Sequence, residues 1–207
     1  MKNILVVKAN NRPDGISTKM YEAFMEEIKN VEGYNVSTFD VFAENLTYFG
    51  QDLFNAFGKM QNGEELTAIE QASVDSMNKA RQALSPADIV VFAFPLWNQT
   101  IPAALQSFID YTYGAGYSFK YNEQGQKEFL LSDKKVILLN ARGGFYNTPE
   151  LNAMEMSMNY MRAAIQNFFG FEIIDEVIIE GHAQDRENAS TIIAEGLEKV
   201  KEVAAQL

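Results

Sequence analysis

The chain has 207 residues, 47% of them hydrophobic, a formal net charge of −11, no cysteine and a single histidine, His182. That length buries one substantial core and predicts a single α/β domain over residues 1–207. The composition excludes disulfides, cysteine nucleophiles, cysteine-ligated clusters and a histidine-rich metal site, so no metal is expected. The acidic balance argues against a nucleic-acid partner, whose affinity comes from Lys and Arg neutralising phosphates.

In chain order, Lys2 to Ala9 (KNILVVKA) reads as a buried strand. Met1 leads straight into it without the pattern of a signal peptide. The loop NNRPDGIST follows, then a helix with Tyr21, Phe24, Met25 and Ile28 on one face and Ser17 as its expected N-cap. Val36 to Val41 alternates as a second strand, whereas residues 43–84 are longer than one crossover helix requires. Within them LTYFGQDLFNAFGKM is rich in aromatics without a clear period, and two readings are open, a packing lid and a subunit interface. Thr67 and Glu70 then form a capping box for a helix through Val74, Met77, Ala80 and Leu84, ended by Ser85–Pro86.

Ala87 to Phe94 is the third strand, and the longest apolar stretch, Ile89 to Trp97, is far short of the roughly 20 residues that span a bilayer. A cytoplasmic protein without a membrane partner is therefore expected. Leu105, Phe108, Ile109 and Thr112 mark a helix from Pro102, and FKY opens a hairpin turning at NEQG. Lys135 to Asn140 and Glu176 to Ile179 supply two more strands, and Ile193, Leu197, Val200, Ala204 and Leu207 a last helix. Strands alternating with helices predict a parallel sheet covered on both faces by right-handed crossovers.

Ligands of such sheets bind outside the carboxyl ends of the strands. Three loops there differ in chemistry. Asn10 to Thr18 offers amides and hydroxyls at a helix N-terminus, an anion site. Pro95 to Thr100 offers a planar aromatic, the sole tryptophan Trp97, beside an amide. RGGFY, Arg142 to Tyr146, offers two glycines whose backbone can approach a flat ring. No nucleoside-triphosphate loop, dinucleotide glycine fingerprint or nucleophile elbow occurs. His182 reads as a loop residue without a catalytic task.

With these residues the chain resembles the FMN-dependent NADH azoreductases, flavodoxin-like quinone and azo-dye reductases, over nearly its whole length. The resemblance rests on VVKA, PLWNQTIPAALQSFID, AGYSFKY, ARGGFY and IIEG. The family's P-M-[YW]-N-x-x-[IV]-P block is matched at Pro95, Trp97, Asn98, Ile101 and Pro102. Ser17-Thr18-Lys19 stands where S-x-S is usual, Leu96 replaces methionine, Gln99 an apolar residue, and Ala141 a serine.

The resemblance implies a flavodoxin-like three-layer sandwich with a five-stranded sheet of order 2-1-3-4-5. It implies one FMN per subunit, with Asn10, Ser17, Thr18 and Lys19 towards the phosphate. Pro95, Leu96, Trp97, Asn98, Gln99, Ala141, Arg142, Gly143, Gly144 and Tyr146 would surround the ring. Tyr121 and Phe168 would contact substrate, in a homodimer whose contacts involve residues 43–84. NADH or NADPH would be the electron donor, and quinones and aromatic azo compounds the two-electron acceptors of a ping-pong cycle. The hydride chemistry would rest on FMN N5, with no catalytic protein residue. A flavodoxin-type electron carrier and a flavin-free interaction domain are the alternatives, separated by NAD(P)H oxidation and by visible absorbance.

Overall fold

The computed structural model describes residues 1–207. Five strands form one parallel sheet: β1 (Lys2–Lys8), β2 (Tyr34–Asp40), β3 (Ile89–Pro95), β6 (Lys135–Arg142) and β7 (Glu172–Glu180). The other two, β4 (Phe119–Tyr121) and β5 (Lys127–Phe129), pair as the expected hairpin. The sheet order is β2-β1-β3-β6-β7, which is the order 2-1-3-4-5 with the hairpin interposed before the fourth sheet strand.

Every residue of β3 is buried, as the branched run between two layers requires. Alternate residues serve opposite faces. Val90, Phe92 and Phe94 pack under α3 (Ala68–Leu84), α4 (Ala103–Thr112) and α6 (Met156–Ala163). Ile89, Val91 and Ala93 pack under α1 (Ile16–Ile28) and α7 (Ala189–Ala205). The Thr67–Glu70 capping box is formed as expected, and Lys59 adds an ion pair to Glu70.

Three features differ from the sequence reading. The aromatic stretch contains a helix, α2 (Gln51–Asn62), which buries only Leu53 and Ala56 and leaves Phe54, Phe57 and Met60 exposed. Leu53, Phe54, Ala56, Phe57 and Met60 do recur at helical spacing, but Tyr48 and Phe49 just before them blur that period in the run as a whole. The N-cap of α1 is Gly15, not Ser17, and it makes no side-chain capping bond. After the short α5 (Pro149–Met154), α6 widens into a π-helical turn, Ala164–Phe169, whose aromatics hid that change of period.

Glycine is required where α7 meets β7: a Cβ on Gly196 would lie 2.4 Å from Ile179 Cγ1, whereas one on Gly58 of α2 would meet nothing within 4 Å. Ala normally stabilises a helix by about 1 kcal/mol relative to Gly. Gly58→Ala is therefore expected to raise the melting temperature, and Gly196→Ala to lower it, since overpacking costs about 1–3 kcal/mol. Thermal denaturation of the two variants beside the parent checks the pair.

Candidate functional site

The carboxyl ends of β1, β3, β6 and β7 open onto one recess of about 220 Å³. Asn10, Arg12, Gly15, Ile16 and Ser17 line one end, Pro95, Leu96 and Trp97 one wall, and Ala141, Gly143, His182 and Ala183 the rest. The first loop is wound around Asn10. Its Nδ2 donates to Ser17 Oγ at 2.9 Å and its Oδ1 accepts from the Arg12 amide at 2.9 Å. A side chain at Gly15 would place its Cβ 2.3 Å from Asn10 Nδ2, so only glycine lets the loop turn this tightly. The Thr18 hydroxyl donates to the Arg12 carbonyl and holds the loop from below.

This winding leaves the amides of Ile16, Ser17 and Thr18 without an acceptor inside the chain. Helix ends normally satisfy such donors with a cap. Here they meet the positive end of the α1 dipole at the edge of the recess, an arrangement built for an anion. One expected residue of this loop stands elsewhere. Lys19 is exposed, in a surface depression with Glu22, Glu26, Glu198 and Lys201. The cation at the recess is Arg12, which forms an exposed ion pair with Asp14 that raises the Arg12 pKa and lowers that of Asp14.

After β3, Trp97 and Thr100 exchange both backbone hydrogen bonds, at 2.9 and 3.0 Å, around Asn98 (φ 50°) and Gln99 (φ 69°). Two consecutive left-handed residues make this a tight two-residue turn, strained at Gln99. The strain is held from outside: Gln99 O accepts from the Met156 amide and Gln99 Oε1 from the Tyr146 hydroxyl. The turn sets Trp97 at the recess, against Phe42 at 6.0 Å between ring centres.

Arg142 is the last residue of β6 rather than part of a loop, and it is buried. Its guanidinium bonds Glu180 on β7 and pairs with Glu155, and it lies over the Tyr146 ring. It therefore frames the recess without lining it. Gly143 is needed because a Cβ there would come within 2.9 Å of Ala183 Cβ, so it makes room for the loop after β7. The Gly143 and Gly144 amides have no acceptor in the chain and remain available as donors.

His182, read from the sequence as a loop residue without a catalytic task, stands at this site as well. It lines the recess, burial pushes its pKa below the ordinary imidazole value, and its enclosed Nδ1 has no partner. The signal lay in IIEGHAQ, since the rule that ligands sit at carboxyl strand ends applies to β7 as to the others. Tyr121 and Phe168 do not reach this recess. They belong to an aromatic cluster around Tyr113, into which Lys127 inserts its ammonium 5.1 Å from the Tyr113 ring centre while donating to Phe168 O.

A doubly covered parallel sheet with an uncapped helix end and an aromatic wall at its switch point defines a flavodoxin-like protein. The family model described as flavodoxin-like fold matches residues 2–204. The FMN-dependent NADH:quinone oxidoreductase of Brevibacillus brevis is 44% identical, with 99% of each chain covered. The enzyme of that name numbered 1 in Bacillus subtilis is 41% identical over the whole of both chains. Among solved structures, an azoreductase from Bacillus anthracis superposes with a TM-score of 0.89 at 41% identity over the whole of both chains. An FMN-dependent NADH-azoreductase from the same species, in complex with FMN, gives 0.86 at 25% identity, covering 100% of this chain and 99% of its own. The chain belongs to this family of FMN-dependent NADH:quinone oxidoreductases and azoreductases.

Glu155 is fully buried and accepts from the amides of Ser157 and Met158 and from the Ser157 hydroxyl, besides pairing with Arg142. Removing it uncaps α6 and leaves a buried guanidinium with one carboxylate fewer. Glu155→Ala is expected to cost about 3–5 kcal/mol, read as a shift of the urea midpoint.

Proposed function

We propose that this chain is an FMN-dependent NADH:quinone oxidoreductase that also reduces aromatic azo compounds, with residues 1–207 acting as one flavin-binding domain. The observation that carries the reading is the uncapped end of α1, opening into the same recess as Pro95–Trp97 and Gly143. A phosphorylated flat ring matches both halves of that recess. The unpaired amides of Ile16, Ser17 and Thr18 bind the phosphate, with Arg12, rather than Lys19, as the nearby cation. Asn10 holds Ser17 Oγ from behind and leaves the hydroxyl hydrogen free to donate.

Leu96 and Trp97 form the wall that keeps water from the ring. Asn98, Gly143 and Gly144 present unpaired backbone amides, preorganised donors that favour negative charge at that end. When bound, FMN supplies the hydride-accepting chemistry that links NADH to a quinone or azo acceptor. The names of the relatives support NADH as donor and quinones and azo compounds as acceptors. No helix is long and apolar enough to cross a membrane, and the proposal includes cytoplasmic residence, where a reduced nicotinamide is at hand.

The proposal also includes a homodimer. Tyr48, Phe49, Phe54, Phe57 and Met60 form an exposed apolar strip on α2 and the residues before it, Phe54 being 55% exposed. Tyr121 is 65% exposed on its hairpin and serves the substrate of a neighbouring subunit in this reading, as does Phe168, which packs on Tyr113.

Mass spectrometry of the released cofactor is expected to give FMN and not FAD, since the recess offers one anion site. Ser17→Ala is expected to weaken FMN binding by about 1.5–3 kcal/mol, or roughly 10- to 100-fold in Kd; an unchanged Kd would leave Ser17 as packing only. Phe54→Glu and Phe57→Glu are expected to yield monomers with reduced NADH:quinone turnover, measured by sedimentation and steady-state assay on the same samples. A fully active monomer would show that each chain carries a complete site.

A further inference from the structure

His182 is the one titratable side chain in the recess that has no partner within the chain. Its loop, directly after β7, is fixed on Gly143: the amides of Ala183 and Gln184 both donate to Gly143 O, at 3.0 and 3.1 Å, and the Gly181 amide donates to Gly144 O at 3.2 Å. Gly181 itself is left-handed, and a Cβ on it would strike the Phe145 ring at 2.2 Å, so the backbone that presents His182 has little freedom. With its backbone so held, His182 lines the recess together with Gly143, its Nδ1 enclosed and unbonded. Nε2 also has no partner in the chain and is not enclosed, so it is the ring nitrogen that a ligand in the recess can reach.

We infer that His182 is a further cofactor-binding residue, which hydrogen-bonds the ring portion of the bound flavin as a neutral imidazole; the inference rests on the flavin reading of the recess. The surroundings favour the neutral form. Burial alone lowers the His182 pKa, and no carboxylate is paired with it. The charged groups facing its loop are engaged elsewhere. Arg142 is taken by Glu155 and Glu180, the Asp185 carboxylate by Asn188, and Arg12 by Asp14. With Nδ1 enclosed, a neutral imidazole presents Nε2 alone, as donor or acceptor according to its tautomer, which suits one polar atom on the edge of a flat heterocycle. A phosphate would instead favour the charged form.

Being the only histidine, His182 reports on itself. In nitrogen-15 NMR of the uniformly labelled protein, the imidazole signals are expected to titrate below the ordinary midpoint of about 6.5. Saturating FMN, and riboflavin equally, should shift both ring nitrogens and lower the midpoint further, while inorganic phosphate leaves them in place. An imidazole that faces the phosphate would give a raised midpoint with FMN and a response to inorganic phosphate; that result overturns the inference. At pH 7, quenching of FMN fluorescence should show His182→Ala binding about tenfold more weakly and His182→Gln, which keeps a donor and an acceptor, within about threefold of the parent. A parent protein that binds FMN while its imidazole signals stay unmoved sinks this inference alone. A parent that fails to quench FMN sinks the flavin reading with it.

Discussion

A guanidinium buried at the end of a strand must be surrounded by acceptors, and Arg142 meets that requirement by drawing three loops together. Glu180 comes from β7, Glu155 from the start of α6, and the Tyr146 ring lies under the charge. Glu180 also accepts from the Tyr146 amide, and the Tyr146 hydroxyl reaches Gln99. Through these links the strained turn at Asn98–Gln99 is tied to the far side of the sheet. Arg142 touches nothing in the recess, yet the wall carrying Trp97 and the floor carrying Gly143 are referenced to it. Breaking a buried pair costs far more than forming it gains, which makes such a frame rigid rather than strongly stabilising.

The opposite end of the recess works by omission. A helix ordinarily begins at a polar N-cap whose side chain accepts from the first turn, and α1 begins at Gly15 instead. Ser17 is turned inward by Asn10, and the loop closes over Gly15, so the first-turn amides stay unpaired. A glycine N-cap in place of a polar one forgoes only a few tenths of a kcal/mol of helix stability and leaves those donors for an anion. Stability and binding compete here for the same hydrogen bonds.

The aromatic residues divide into two populations with different physics. Trp97 is a wall, placed by a turn whose backbone is locked on both sides. Tyr113, Phe119, Phe129 and Phe168 instead gather round Lys127, whose ammonium combines three ring faces with two carbonyl acceptors and fastens the hairpin to the π-helical turn. That cluster leaves Tyr121 outward on a short hairpin. The exposed strip of α2 is the third apolar surface, an apolar side too broad for Leu53 and Ala56 alone to bury.

Local pattern determined the sheet. The runs KNILVVKA, ADIVVFAF and KVILLN each carry an unbroken apolar centre, residues 4–7, 89–94 and 136–139, because parallel strands are covered on both faces, and that property is written in each run separately. The capping box at Thr67 and the hairpin at NEQG were legible for the same reason, since a few neighbouring residues suffice to form them. The three loops of the recess were legible as loops at carboxyl strand ends. Which of their residues face inward was not. Lys19 and Arg12 are both cations near the same helix start, and only the winding of the loop on Asn10 decides that Arg12 lies at the recess. Arg142 reads as a loop arginine until Glu155 and Glu180, distant in the chain, bury it. His182 reads as an idle loop residue until the packing of its loop on Gly143 brings it to the recess. Periodicity and turn chemistry are properties of neighbours in sequence, whereas side-chain direction at a loop is fixed by contacts between residues far apart in the chain, and those exist only once the sheet has closed.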